Sequence, residues 1–239
     1  MIIHWECLEE MDRLIEQWVV VDSIICDIPY WTTACKWDTI IPFGKMWERL
    51  NKLIKPNWAI VLFGSEPFSS ALRMSNIKNY KYDWIWNKNK GSNPMLAKKQ
   101  PMKSHEVLSI FYNKSTLYNP QMRDGKPYKA RKTASKNSNV FGIQDKVISS
   151  NNGDGKLYPL TSLHFNREFR NQDQFHPTQK PVALMEYLIK TYTHENETVL
   201  DFTMWSWTTW VACKNTWRDF IWIELDEWYY NIANERIYG

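Results

Sequence analysis

Three groups of residues in this 239-residue chain could act together chemically. The first is Asp27-Ile28-Pro29-Tyr30. A carboxylate and the carbonyl preceding a proline accept hydrogen bonds, and a tyrosine ring is a flat surface. The group therefore suits a planar amine held by its N–H atoms and stacked on a ring, with its nitrogen aimed at an electrophilic carbon. The same letters also make an ordinary turn after a strand. The second group runs Asp201-Phe202-Thr203-Met204-Trp205-Ser206-Trp207-Thr208-Thr209-Trp210 and is followed by Phe220-Ile221-Trp222-Ile223-Glu224. An acid ending a strand, a tight turn into a helix and a second acid at the next strand tip is the layout of adenosine-type cofactor sites. The helix N-terminus meets the polar end of the ligand, and the second acid takes ribose hydroxyls. Glu224 follows Trp205 by 19 residues, near the spacing of about 20 in dinucleotide sites. The third group, His176-Pro177-Thr178-Gln179-Lys180-Pro181, read alone is a helix start with Thr178 near the cap and Pro181 in the first turn.

The elements that must position these groups alternate. Residues 19–27 form an apolar run ending in an acid, as in a buried parallel strand whose carboxyl end opens on a site. A helix is expected over 45–55, stopped by Pro56, then a strand over 59–63 and a helix over 67–74. Strands are expected over 82–87 and 107–112. After a poorly patterned stretch come a helix over 181–192, a strand over 198–202, a helix over 208–215, a strand over 220–225 and a helix over 227–237. Such alternation predicts an α/β fold with a doubly wound, Rossmann-like sheet, in one domain covering 1–239.

Composition narrows the functional classes. No run of 18 apolar residues could span a bilayer, and the acidic first 18 residues carry no leader pattern. Four cysteines without a CxxC pair, and no histidines at ligand spacing, point to reduced thiols, a cytoplasmic setting and no metal. The net charge of +4 is uneven. Residues 78–136 hold fourteen Lys or Arg against the three acids Asp83, Glu106 and Asp124, leaving the rest of the chain acidic. Such a stretch is either a solvated face or a surface for phosphates, and charge alone does not choose.

Taken in order, the three groups resemble the S-adenosylmethionine-dependent DNA amino-methyltransferases of the beta class. In that family a DPPY-type motif comes first, the target-recognition region second, and HPTQKP and the cofactor motifs last. The resemblance runs from Ile3 to Ile237; residues 176–181 match letter for letter, and 27–30 differ only at Ile28. It implies that Asp27, Pro29 and Tyr30 hold the target base, and that an Asp in first place favours adenine N6 over cytosine N4. It implies S-adenosylmethionine as cofactor, with Asp201, Phe202 and Thr203 along its methionine and adenosine portions and Glu224 on the ribose. Thr178 and Lys180 would lie near the methionine carboxylate. Double-stranded DNA would be the partner, residues 88–174 an inserted target-recognition region, and restriction-modification the setting.

The chain departs from the family pattern at its glycines. Usage of about 7% predicts roughly 17 glycines in a chain of this length, whereas eight are present beside fourteen tryptophans. Trp5, Trp18, Trp31, Trp58, Trp205, Trp207, Trp210 and Trp222 stand where motif or turn chemistry calls for glycine, and Trp217 and Trp228 where Gly or Asn is expected. Trp37, Trp47, Trp84 and Trp86 read as packing residues. Indoles at 31, 205, 207, 210 and 222 are expected to compete with the cofactor, so that activity is absent or strongly impaired.

Overall fold

A computed structural model describes residues 1–31, 38–128, 137–138, 142–143, 153–166, 179–204 and 208–238. The chain forms two compact units, 1–119 with 161–239, and 120–160. The larger unit opens with β1 (Ile2–His4), α1 (Cys7–Glu16), β2 (Ser23–Cys26), α2 (Phe43–Leu53), β3 (Ile60–Gly64), α3 (Phe68–Ser75), β4 (Tyr80–Ser92) and β5 (Lys103–Phe111). The smaller unit holds two short antiparallel pairs, β6 (Arg123–Asp124) with β9 (Lys156–Leu157), and β7 (Asn137–Ser138) with β8 (Gly142–Ile143). The larger unit then resumes with β10 (Ser162–His164), α4 (Val182–Tyr192), β11 (Thr198–Asp201), α5 (Thr208–Asn215), β12 (Asp219–Glu224) and α6 (Glu227–Tyr238).

The expected α/β architecture is present as an eight-stranded sheet ordered β1-β12-β11-β2-β3-β5-β4-β10. Neighbours from β1 through β3 are parallel, and β5 is antiparallel to both β3 and β4. Both faces are covered, which is why the strands read as continuous apolar runs. Along β2 and β3, Ile24, Cys26, Ile60 and Leu62 face a core shared with Met11, Leu14, Met46 and Leu50 from α1 and α2. The alternate residues Ile25, Val61 and Phe63 face a second core with Leu184, Leu188 and Val199.

Differences from the expected elements have local causes. The strand expected from residue 19 begins at Ser23, because Trp18 turns the backbone left-handed after α1 and Val21 makes only an isolated bridge to Ile54. The strands at 82–87 and 107–112 are longer than their apolar runs, since polar ends of β4 and β5 pair with each other to Ser92 and Lys103. Strands β6 to β10 had no counterpart in the sequence reading, and neither had β1 and α1. The acids there are helix-starting residues: Glu6 caps α1 by accepting from the Glu9 amide at 2.9 Å, and Glu9 and Glu10 occupy the first turn, where carboxylates oppose the helix dipole favourably.

Candidate functional site

Strand β2 leads through α2 to β3 on one side, and β11 leads through α5 to β12 on the other, so the chain departs in opposite directions from two adjacent parallel strands. A crevice at the carboxyl ends of such strands is where open α/β sheets hold ligands. Here a cavity of about 380 Å³ lies beside them, lined by Pro29 after β2, Phe202 and Thr203 after β11, and Ile223 and Glu224 at the tip of β12. Its remaining walls are Trp5–Leu8 at the start of α1, Thr39–Pro42 before α2, and Leu225, Asp226 and Tyr229. Among the residues singled out from sequence, Pro29, Phe202, Thr203 and Glu224 thus meet at one cavity. The walls at 5–8 and 39–42 went unread, because no polar motif marks them.

Glu224 is buried, and burial raises its carboxyl to about 8, with Asp226 and Asp201 adding to the rise and backbone N–H donors opposing it. One oxygen accepts from the Asp226 amide at 2.8 Å. A buried carboxyl at the cavity wall with few internal donors is suited to the hydroxyls of a sugar. The apolar wall formed by Ile40, Ile41, Phe202 and Ile223 suits a flat ring, and the volume lies in the range of small-molecule sites. The donor set therefore fits an adenosine-bearing cofactor.

Asp201 serves the loop rather than the cavity wall. Its two oxygens accept from the Thr203 amide at 3.3 Å and the Thr209 hydroxyl at 2.6 Å, tying the turn after β11 to the first turn of α5. Burial raises its carboxyl. Thr203 in turn links the two strand ends, donating to the Asp27 carbonyl at 3.2 Å and meeting Cys26 Sγ at 3.0 Å.

Asp27 stands just past β2, and Lys180, immediately before α4, donates from Nζ to its carboxylate. Lys180 also lies 3.5 Å from Glu106, which takes a 2.7 Å hydrogen bond from Lys88. Burial pushes Asp27 up and Lys180 pulls it back without fully cancelling the rise. For Lys180, burial opposes charge, but Asp27 and Glu106 outweigh it and the ammonium is held charged. Burial likewise works to raise Glu106, and the two lysines overcome it to leave the carboxyl lowered. Lys180 is thus engaged by carboxylates, although the family resemblance implied a place near the methionine carboxylate. Glu106 and Lys88 were missed as site residues; an acid directly before the apolar stretch of β5 was the available signal. Tyr30 packs with Phe68 at a centroid distance of 5.6 Å. Thr178 lies outside the described residues.

Three of the five indoles expected to compete with the cofactor, Trp31, Trp210 and Trp222, lie away from the cavity. Trp31 has φ 54° and is 76% exposed, its amide donating to Asp38 at 2.8 Å, so its ring points to solvent rather than into the cavity. Trp210 and Trp222 pack edge to face, 6.3 Å apart, and neither lines the cavity. Trp5 does line it. Trp205 and Trp207 lie outside the described residues. Among the described residues, no group of three His, Cys, Asp or Glu could hold a metal, and no helix is long and apolar enough to cross a membrane.

Comparison with known proteins gives a consistent picture. Residues 21–235 match the sequence profile of the N6/N4-type DNA methylases. Type II methyltransferase M2.LlaDCHI of Lactococcus lactis subsp. cremoris is 42% identical over 62 residues, which is 26% of this chain and 23% of that protein. The match spans about a quarter of the length of such curated relatives. Among solved structures, the complex of M1.HpyAVI with SAM superposes with a TM-score of 0.66 at 26% identity, covering 99% of this chain and 98% of that one. The cytosine-N4-specific PvuII DNA methyltransferase superposes with a TM-score of 0.70 at 14% identity, covering 100% and 86%, which is likeness of fold.

Proposed function

Because the chain belongs to the N6/N4-type DNA methylase family, we propose that its scaffold is that of a site-specific DNA methyltransferase acting on adenine N6, with S-adenosylmethionine as cofactor and double-stranded DNA as substrate. The observation that carries this reading is the meeting of Pro29, Phe202, Thr203 and Glu224 at one cavity beside the Asp27–Lys180 pair. When bound, the cofactor supplies an electrophilic methyl group.

In this reading Glu224 accepts from the ribose hydroxyls, and the apolar wall with Phe202 holds the adenine ring. Thr203 keeps the cofactor loop in register with the target-base loop through its bond to the Asp27 carbonyl. Asp27 accepts from the target amino group, Pro29 sets the direction of the preceding carbonyl, and Tyr30 offers the ring against which an extruded base stacks. Lys180, itself paired with Glu106, holds the Asp27 carboxylate in place. Residues 88–174 would read the target; Lys90, Lys98 and Lys99 are exposed there, whereas Lys88 is consumed by its buried pair with Glu106.

Tryptophan at the glycine positions works against this activity. An indole at position 5 takes up cavity wall, and bulky side chains in the loop after β11 remove the close backbone approach that a cofactor needs. The chain bearing them is expected to bind S-adenosylmethionine weakly. Calorimetric titration with S-adenosylmethionine, paired with methyl transfer to mixed DNA and identification of the modified nucleoside, tests both halves. N6-methyladenine supports the assignment, and N4-methylcytosine or no methylated base from a glycine-bearing chain refutes it.

A further inference from the structure

The described tryptophans fall into unlike groups. Trp47, Trp84 and Trp86 are buried, and each indole N–H donates, to Ser75 Oγ at 2.7 Å, Tyr192 Oη at 2.7 Å and the Phe165 carbonyl at 2.8 Å. A buried tryptophan ordinarily finds such a partner.

Another group occupies backbone that a tryptophan has no reason to occupy. Trp18, Trp31 and Trp217 have φ of 57°, 54° and 58°, and their side chains are 90%, 76% and 75% exposed. Left-handed backbone is an outlier for a bulky residue, strained by its Cβ, and a ring in solvent returns nothing for it. Among the described residues the only other non-glycine residues in that region are Asn57, Asn93 and Asn196, the type best able to substitute for glycine there.

Two of the three sites have a specific geometry. After α1, the Trp18 amide donates to Ile15 and the Val19 amide to Leu14; after α5, the Trp217 amide donates to Lys214 and the Arg218 amide to Cys213. Both are Schellman closures, and the tryptophan stands in each at the one position where glycine is the usual residue. Trp222 differs again, being fully buried with an indole N–H that has no partner among the described residues. An unpaired buried donor is costly.

We infer that Trp5, Trp18, Trp31, Trp58, Trp205, Trp207, Trp210, Trp217, Trp222 and Trp228 are glycine in the protein its own cell makes, each encoded by UGA, a codon that different translation systems read as stop, tryptophan or glycine. A single codon assignment accounts for all ten positions at once. It leaves Trp37, Trp47, Trp84 and Trp86 as true tryptophans encoded by UGG. The eight glycines and these ten positions together make eighteen, against about 17 expected from average usage. Separate substitutions would have had to strike two helix ends, the turn after β2 and the loop after β11 while sparing every indole that makes a buried hydrogen bond. The inference deepens the proposed function, since it opens the cofactor loop, but its support is backbone geometry and indole pairing.

Two measurements test it. The gene is sequenced, and peptides are sequenced by mass spectrometry from the protein isolated from its source organism. UGA at the ten positions, UGG at the other four, and glycine in peptides spanning residues 18, 31 and 217 are expected. UGG or tryptophan at any of those three overturns the inference, as does UGA at Trp47, Trp84 or Trp86. Independently, the chain carrying all ten Trp→Gly changes should melt at a higher temperature than the tryptophan chain made in the same host, and an equal or lower melting temperature counts against it. Neither readout involves methyl transfer. A glycine chain that is stable but inactive would defeat the proposed function and leave this inference standing.

Discussion

Lys180 Nζ donates to the carboxylate of Asp27 across 153 positions of chain, joining the start of α4 to the end of β2 inside the sheet's crevice. Both side chains are largely buried, and Glu106 and Lys88 continue the charges into an alternating row. In such a row each charge is tolerable only because its neighbours are present.

Lys180→Ala should therefore cost about 3–5 kcal/mol of stability, the range for removing one member of a buried pair. It should also push the Asp27 carboxyl further upward, because the pull that opposes burial is lost while Glu106 remains. Urea unfolding of the variant and carboxyl titration by NMR read the two effects, and an unchanged Asp27 would show that the lysine does not govern it.

Asp27→Ala in a glycine-bearing chain should abolish methyl transfer and leave cofactor affinity within a few-fold, since Asp27 is not among the residues lining the cavity. Equal loss of S-adenosylmethionine binding by calorimetry would reassign the carboxylate to the cofactor.

Glu224 should make stability fall with rising pH. Its carboxyl sits at about 8 in the folded chain against an ordinary 4.5, so between those values the native state holds a proton that the unfolded state releases. The contribution is fully present below about 4.5 and lost by about 8, with a slope of up to about 1.4 kcal/mol per pH unit. The buried Asp201, also raised, acts in the same direction. Unfolding free energy measured across this window should slope less in Glu224→Gln; an identical slope would remove Glu224 as its source.

Trp18→Gly and Trp217→Gly should each raise stability by about 1–2 kcal/mol, the strain of a left-handed side-chain-bearing residue, without changing cofactor affinity. Joint reversion of positions 5, 205 and 207 should restore S-adenosylmethionine binding more than any single reversion, because Trp5 lines the cavity and the other two stand at glycine positions of the family's cofactor motif, so that one remaining indole still obstructs the ligand. Micromolar binding by the unreverted chain would show that the loop accommodates its indoles.

Duplex DNA should bind with steep salt dependence, and Lys98→Glu with Lys99→Glu should reduce the slope by about 2 if each lysine neutralises one phosphate. Affinity indifferent to salt would separate the basic segment from DNA.

What the sequence alone determined follows from short-range rules. The alternation of apolar runs and helical spacing marked six of the eight sheet strands and every described α-helix but α1, and the order of three motifs defined the family, because each depends on neighbours along the chain. The placing of tryptophans at glycine positions of the family pattern was equally legible, as a scarcity of small residues at turns. Tertiary structure decided the pairings. That Lys180 answers Asp27 rather than opening onto the cavity beside β11 and β12 depends on α4 arriving beside β2, and that Glu106 joins them depends on β5 lying next to β3 in the sheet. It also decided where the indoles go: a positive φ turns Trp31 outward, while the pleat of β12 turns Trp222 inward against Trp210 and Phe220. A side chain's type is local, but the direction it points and the charges it meets are properties of elements brought together from distant parts of the chain.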